Sequence, residues 1–217
     1  MDEFWSILIV LAVIIVSMVL HEMAHGYVAY FLGDTTAKEE GRLSLNPLVH
    51  LDPVMSVLLP LILFVMKAPV FGGAKPVPIS PERLKGGAWG MALVAIAGPL
   101  VNFILALTFF IIGMKTNLIG FHNGLIYYTG YEGLAMAEMV MVNLGFMVFN
   151  LIPVPPLDGS RVLYAIAPDG VRDFMDRMER STGIMLVFVL IMIFGTVFSA
   201  IMSGAIDGIL KFFDMLV

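Results

Sequence analysis

The chain has no cysteine in its 217 residues. That excludes disulfides, thiolate metal sites and cysteine nucleophiles, and leaves the redox compartment open. Charge is also scarce. Asp, Glu, Lys and Arg make up 13% of the sequence, against about a quarter in soluble domains. The net charge of −5 is modest and no basic run is present, so nucleic acid is not an expected partner. Met1-Asp2-Glu3 lacks the basic n-region of a cleaved signal peptide, so the first apolar segment is expected to stay with the protein. Periodic repeats and low-complexity tracts are missing as well. One membrane-embedded domain over residues 1–217 is therefore expected, its core at about 4–165 and a C-terminal span and interfacial helix at about 166–217.

What is present in abundance is apolar: 59% of residues, with a mean hydropathy of +0.96. This is the composition of an integral membrane protein, whose first partner is the lipid bilayer. The pattern predicts an all-α polytopic helical bundle. It has about four full spans, a re-entrant or short fifth segment, and short irregular strands on the cytoplasmic side. The spans are expected near residues 4–32, 86–114, 131–151 and 184–201. Residues 54–66 are apolar but short and carry Pro60, which suits a re-entrant segment better than a crossing. Strands are expected within 37–45 and 75–79, a loop with an aromatic belt at 116–129, and interfacial helices near 171–178 and 206–217. The second span is expected to kink at Gly98-Pro99 beside a buried Asn102, and Gly86 and Gly90 to allow close helix packing.

With residues 54–66 not crossing, Lys38, Arg42, Lys67, Lys75, Arg83, Lys85, Arg161, Arg172, Arg177 and Arg180 share one side, and Lys115 and Lys211 lie on the other. By the positive-inside bias the first side is cytoplasmic and the N-terminus is outside.

Inside the first span stands His21-Glu22-Met23-Ala24-His25. Histidines at i and i+4 share a helix face and can grip one metal ion, and the glutamate between them can take a proton from water. Such groups are costly at membrane depth, which calls for a reason. A chance match and polar glue between helices are the bland readings; depth and the neighbouring Glu22 weigh against both. Counted from Phe4, His21 lies roughly 26 Å along the helix, near one face of a hydrocarbon core about 30 Å thick.

Catalytic zinc takes three protein ligands and keeps one position open. The candidates for the third ligand are Asp158, Glu39, Glu40 and His50. Asp158 is favoured because the third span breaks at Pro153, Pro155 and Pro156, and irregular backbone at that depth must line a cavity or be buried in protein. Against this, Asp158 could simply cap a helix starting near Gly159. His50 reads as a hydrogen-bonding residue near the site rather than a ligand, and His122 as a surface residue.

The set His21-Glu22-xx-His25, Gly98-Pro99-xx-Asn102 and Asn150-xx-Pro153-xx-Pro156-Leu157-Asp158-Gly159 resembles the site-2 protease family of membrane-embedded zinc metalloproteases. The resemblance covers about residues 20–165, in order and spacing. It implies a compact bacterial or archaeal form in the cell membrane, without an inserted PDZ or appended nucleotide-sensing domain. It also implies one Zn2+ per chain held by His21, His25 and Asp158, with Glu22 as general base and acid. Asn150 would position substrate or stabilise the oxyanion, and Asn102 would play a supporting part. The substrate implied is a transmembrane protein, cut in or near its membrane segment. The sequence leaves oligomeric state open.

Two other classes compete with this reading. An ion transporter would bind its metal transiently and has no need of Glu22; an inert scaffold has no need of a complete ligand set. Glu22→Gln separates protease from transporter.

Overall fold

A chain in hydrocarbon must satisfy its backbone internally, so long apolar segments become helices. The computed structural model describes residues 2–58, 62, 73–181 and 183–217. In chain order it contains α1 (Glu3–Phe31), α2 (Thr36–Glu39), α3 (Gly87–Lys115), the hairpin β1 (Ile119–His122) and β2 (Leu125–Tyr128), α4 (Gly130–Asn150), α5 (Asp158–Ile166), α6 (Asp169–Ser181) and α7 (Gly183–Asp214). Among the described residues, α1, α3, α4 and the Ile193–Asp214 part of α7 are long and apolar enough to cross a membrane. The chain is an integral membrane protein of the helical, polytopic class.

Contacts between chain-distant residues set the two ends of the bundle. The backbone N–H of Asp2 donates to Tyr131 Oη at 2.9 Å, and Asp207 lies against Gly124. The start of α1, the hairpin and the last turns of α7 therefore share one end. At the other, the N–H of Lys85 bonds the Leu32 carbonyl at 2.9 Å, joining the exit of α1 to the entry of α3. Near the hairpin, Ala106 and Phe110 of α3, Ile119 of β1, Ala137, Val140 and Leu144 of α4, and Leu210 and Phe213 of α7 form the main core. Ala29, Leu84 and Val94 form a smaller cluster at the opposite end. Many large apolar side chains point outward, among them Trp5, Leu11, Leu93, Ile104 and Ile201, as lipid-facing surfaces do.

Several local expectations are corrected. Residues 116–129 are a β-hairpin rather than a loop. Asn123 and Gly124 both have positive φ, at 51° and 80°, the two-residue turn that favours antiparallel pairing. The extended stretch expected within 37–45 begins instead as α2, and residues 73–80 run without regular secondary structure. No separate helix covers 206–217: α7 kinks at Phe194 (φ −111°, ψ 21°) and then continues to Asp214, with Leu210 and Phe213 drawn into the main core. The pairing of Asp207 with Lys211 at 2.6 Å is present within it. α3 carries Pro99 inside it and runs on to Lys115, with Asn102 fully buried as expected. Gly90 serves the tight entry to α3 rather than packing between helices, since a Cβ there would lie 2.2 Å from the Lys85 carbonyl oxygen. Gly86, with φ 90°, makes that same turn. Of the fifth segment, 54–66, only 54–58 and 62 are described; Pro53–Leu58 forms a π-helical turn, and the remainder lies outside the described residues.

At the Leu32 end, buried Asp34 clamps two segments together. Its carboxylate accepts from the Thr36 hydroxyl at 2.5 Å, the Thr36 N–H at 3.0 Å and the Ser80 N–H at 2.6 Å. Burial pushes this carboxyl up, but those donors and the Arg83 charge outweigh burial and hold it below its ordinary value. A carboxyl depressed in the fold stabilises above its unfolded pKa of about 3.9 and loses that contribution as pH falls through the folded value. Asp34→Asn is expected to cost about 1–3 kcal/mol at neutral pH. It is also expected to flatten the acid limb of a thermal-unfolding series in detergent. Parallel acid limbs in the two proteins would show that the clamp carries no such linkage.

Candidate metal centre

α1 presents His21 and His25 one turn apart on the face packed against α3. Their Nε2 atoms lie 3.0 Å from each other. Each Nδ1 is held from behind: His21 Nδ1 lies 2.5 Å from Asn102 Oδ1, and His25 Nδ1 lies 2.7 Å from the Val94 carbonyl oxygen, both on α3. A carbonyl oxygen only accepts, so each Nδ1 carries the proton and each Nε2 offers a lone pair.

The third donor arrives with α5. After α4 ends, the proline-rich turn at 151–157 reverses the chain, and Asp158 opens the next helix. The helix N-cap is Leu157 and has no side-chain cap bond, so Asp158 is not spent on capping. Its Oδ2 lies 3.2 Å from His21 Nε2 and 3.4 Å from His25 Nε2, buried and without a hydrogen-bond donor. Gly159 permits this turn, since a Cβ would lie 2.1 Å from the Leu151 carbonyl oxygen.

Three acceptors facing one another repel unless a cation lies among them. The dimensions suit zinc: donors about 2.0–2.2 Å from a tetrahedral zinc stand roughly 3.3–3.5 Å apart, and the edges here are 3.0, 3.2 and 3.4 Å. Space is kept free by Gly98, whose Cβ, if present, would lie 2.5 Å from His25 Nε2 and 2.6 Å from His21 Nε2. His21, His25 and Asp158 could thus hold one ion. The imidazoles are about 8–9% exposed and the carboxylate 20%, so the cluster is most open on the Asp158 side.

The family model for "Peptidase family M50" matches residues 132–194, the stretch that carries Asp158. Over 202 residues, 93% of this chain and 89% of the relative, the sequence is 36% identical to a Bacillus subtilis protein named "Putative zinc metalloprotease YwhC". The chain belongs to peptidase family M50, the site-2 proteases. "Zinc metalloprotease MJ0392" of Methanocaldococcus jannaschii is 31% identical over 75% of this chain and 35% of that protein. "Putative zinc metalloprotease Rip2" of Mycolicibacterium smegmatis is 28% identical over 72% and 56%. No solved structure matches the chain significantly. As an M50 member the protein is a zinc metalloprotease of the membrane.

The other residues that the sequence singles out fall in different places in this M50 chain. Glu22 is half-buried and its Oε2 accepts the Val77 N–H at 3.0 Å. Asn150, at the end of α4, donates from Nδ2 to the Phe146 carbonyl at 3.0 Å, within its own helix. His50 is fully buried away from the cluster; its Nε2 lies 2.8 Å from the Ser44 carbonyl oxygen and its Nδ1 has no partner. Glu39 pairs with Arg83 at 3.2 Å on the surface, and Glu40 and His122 are exposed. None of these four joins the cluster. The sequence reading passed over Ser17 and Asn143, both fully buried behind Asn102. The signal was available: a polar side chain within an apolar span is a functional candidate by default, and Ser17 stands four residues before His21, on the same helix face.

Proposed function

We propose that this protein is an intramembrane zinc endopeptidase. It would hydrolyse a peptide bond in or near a transmembrane segment of a membrane-protein substrate, as in regulated intramembrane proteolysis. His21, His25 and Asp158 hold the zinc, Glu22 carries the proton, and Asn150 serves the substrate. The observation that carries this reading is the convergence of three lone-pair donors, edges 3.0–3.4 Å, on a space lined by a glycine and most open on the Asp158 side. Zinc, when bound, supplies Lewis acidity that acidifies water and polarises a carbonyl.

The chain's own groups do the rest. Glu22 accepts a proton from water and passes it to the leaving amine, and the Val77 N–H, donating to Oε2 at 3.0 Å, orients the carboxylate. Asn150 reaches substrate by releasing its Nδ2 from the Phe146 carbonyl. A transmembrane helix shields its peptide bonds with its own hydrogen bonds, so the substrate unwinds locally before cleavage.

Charge supports an orientation. Among the described residues, Lys38, Arg42, Lys75, Arg83, Lys85, Arg161, Arg172 and Arg177 lie toward the site end, and Lys115 and Lys211 toward the hairpin end. The site then faces the cytoplasm across the cell membrane, with the start of α1 outside.

The test combines metal analysis with cleavage of a model transmembrane peptide in detergent. About one zinc per chain, cleavage abolished by chelation and restored by zinc, and loss of both in Asp158→Ala are expected. Removing one ligand from a site worth ~10–16 kcal/mol forfeits roughly a quarter of that, about a hundredfold or more in affinity. Unchanged zinc affinity in Asp158→Ala would sink the assignment.

A further inference from the structure

The hydrogen bonds behind His21 form a chain whose direction is fixed at its far end. The backbone carbonyl of Met139, on α4, can only accept, and Asn143 Nδ2 donates to it at 2.8 Å. The same Nδ2 lies 2.8 Å from Ser17 Oγ on α1. With its amide nitrogen committed, Asn143 turns Oδ1 toward Asn102 Nδ2 at 2.7 Å. Asn102 must then turn its own Oδ1 toward His21 Nδ1, at 2.5 Å. Reversing either amide would press two oxygens together, or two N–H groups, in a place with no water to compensate, since Ser17, Asn102 and Asn143 have zero exposure.

We propose that Asn143 is a positioning residue which, through Asn102, fixes the tautomer and ring orientation of His21; the accept-only Met139 carbonyl sets the direction of the Asn143 amide, and Ser17 Oγ takes its second N–H. The relay ties three helices to one proton: α4 supplies the reference carbonyl and Asn143, α3 supplies Asn102, and α1 supplies Ser17 and the ring. His25 needs no relay because its Nδ1 meets the Val94 carbonyl directly. This rests on the metal-site reading above.

Two measurements on the full-length protein in detergent test it. The first is zinc affinity, by competition with a chelator, together with the visible spectrum of the cobalt-substituted protein. Asn143→Leu is expected to weaken zinc binding roughly 10–100-fold and to alter the cobalt spectrum. Asn102→Leu should do the same, and the double variant should bind no more weakly than Asn102→Leu alone. Wild-type affinity in Asn143→Leu, or losses that multiply in the double variant, would overturn the relay. The second uses the wild type, so folding of a variant does not enter. With only 4 histidines in the chain, 15N-histidine spectra of the zinc-free protein resolve each ring, and His21 is expected to carry a proton on Nδ1, which faces Asn102 Oδ1. The Nε2–H tautomer, which free histidine prefers, would overturn the proposal. A wild type that binds no zinc would remove the metal reading instead, and the tautomer would still decide the relay.

Discussion

Gly98→Ala protein is expected to purify with almost no zinc and to cleave no substrate. The added methyl would enter 2.5 Å from His25 Nε2 and 2.6 Å from both Nε2 and Cε1 of His21. Neither ring can retreat easily, because each is anchored through Nδ1 to α3, at 2.5 and 2.7 Å. The alternatives are to break those bonds or to separate α1 from α3. Overpacking of this kind costs about 1–3 kcal/mol, too little to unfold a stable bundle but enough to displace ligand atoms that must agree to within a few tenths of an ångström. Gly145→Ala on α4 is the matched control. Nothing lies within 4 Å of its added Cβ, and it should keep zinc and activity. Metal analysis of the two proteins separates the cases; full zinc in Gly98→Ala would mean the ion is held elsewhere.

Glu22→Gln is expected to act in the opposite sense, keeping zinc at wild-type affinity while cleavage falls roughly 10²–10⁴-fold. The substitution is close to isosteric, and a glutamine oxygen can still accept the Val77 N–H, now 3.0 Å from Glu22 Oε2. What it removes is the capacity to take and return a proton. A transporter would tolerate this change, since its metal ligands are intact. Single-turnover cleavage beside zinc quantification is therefore the informative pair, and wild-type cleavage by Glu22→Gln would exclude the residue from proton transfer.

Much of this protein could be read from residue order because lipid narrows the options. Apolar runs long enough to cross become helices, and three of the four spans lie within a few residues of where composition puts them. The fourth, α7, does not, because hydropathy cannot register that Leu210 and Phe213 pack into the core beside Phe110. The hairpin was legible in principle, as Asn123-Gly124 carries its turn chemistry, but its aromatic flanks read equally well as a membrane-interface loop. Asn102 was visible as a buried amide, whereas its orientation was not. That depends on Asn143, which is 41 residues away in sequence and lies on another helix.

By itself the sequence determined the helical membrane class and the family, and brought His21, Glu22 and His25 together on one helix, because these follow from composition, from the order of the motifs and from spacing along that helix. Only the tertiary structure decided that Asp158 turns away from capping its own helix, that Gly98 keeps the space between the imidazoles clear, and that Asn143 sets the orientation of Asn102. Each of those depends on distances between helices, which the packing of α1, α3, α4 and α5 fixes and which no spacing along the chain encodes.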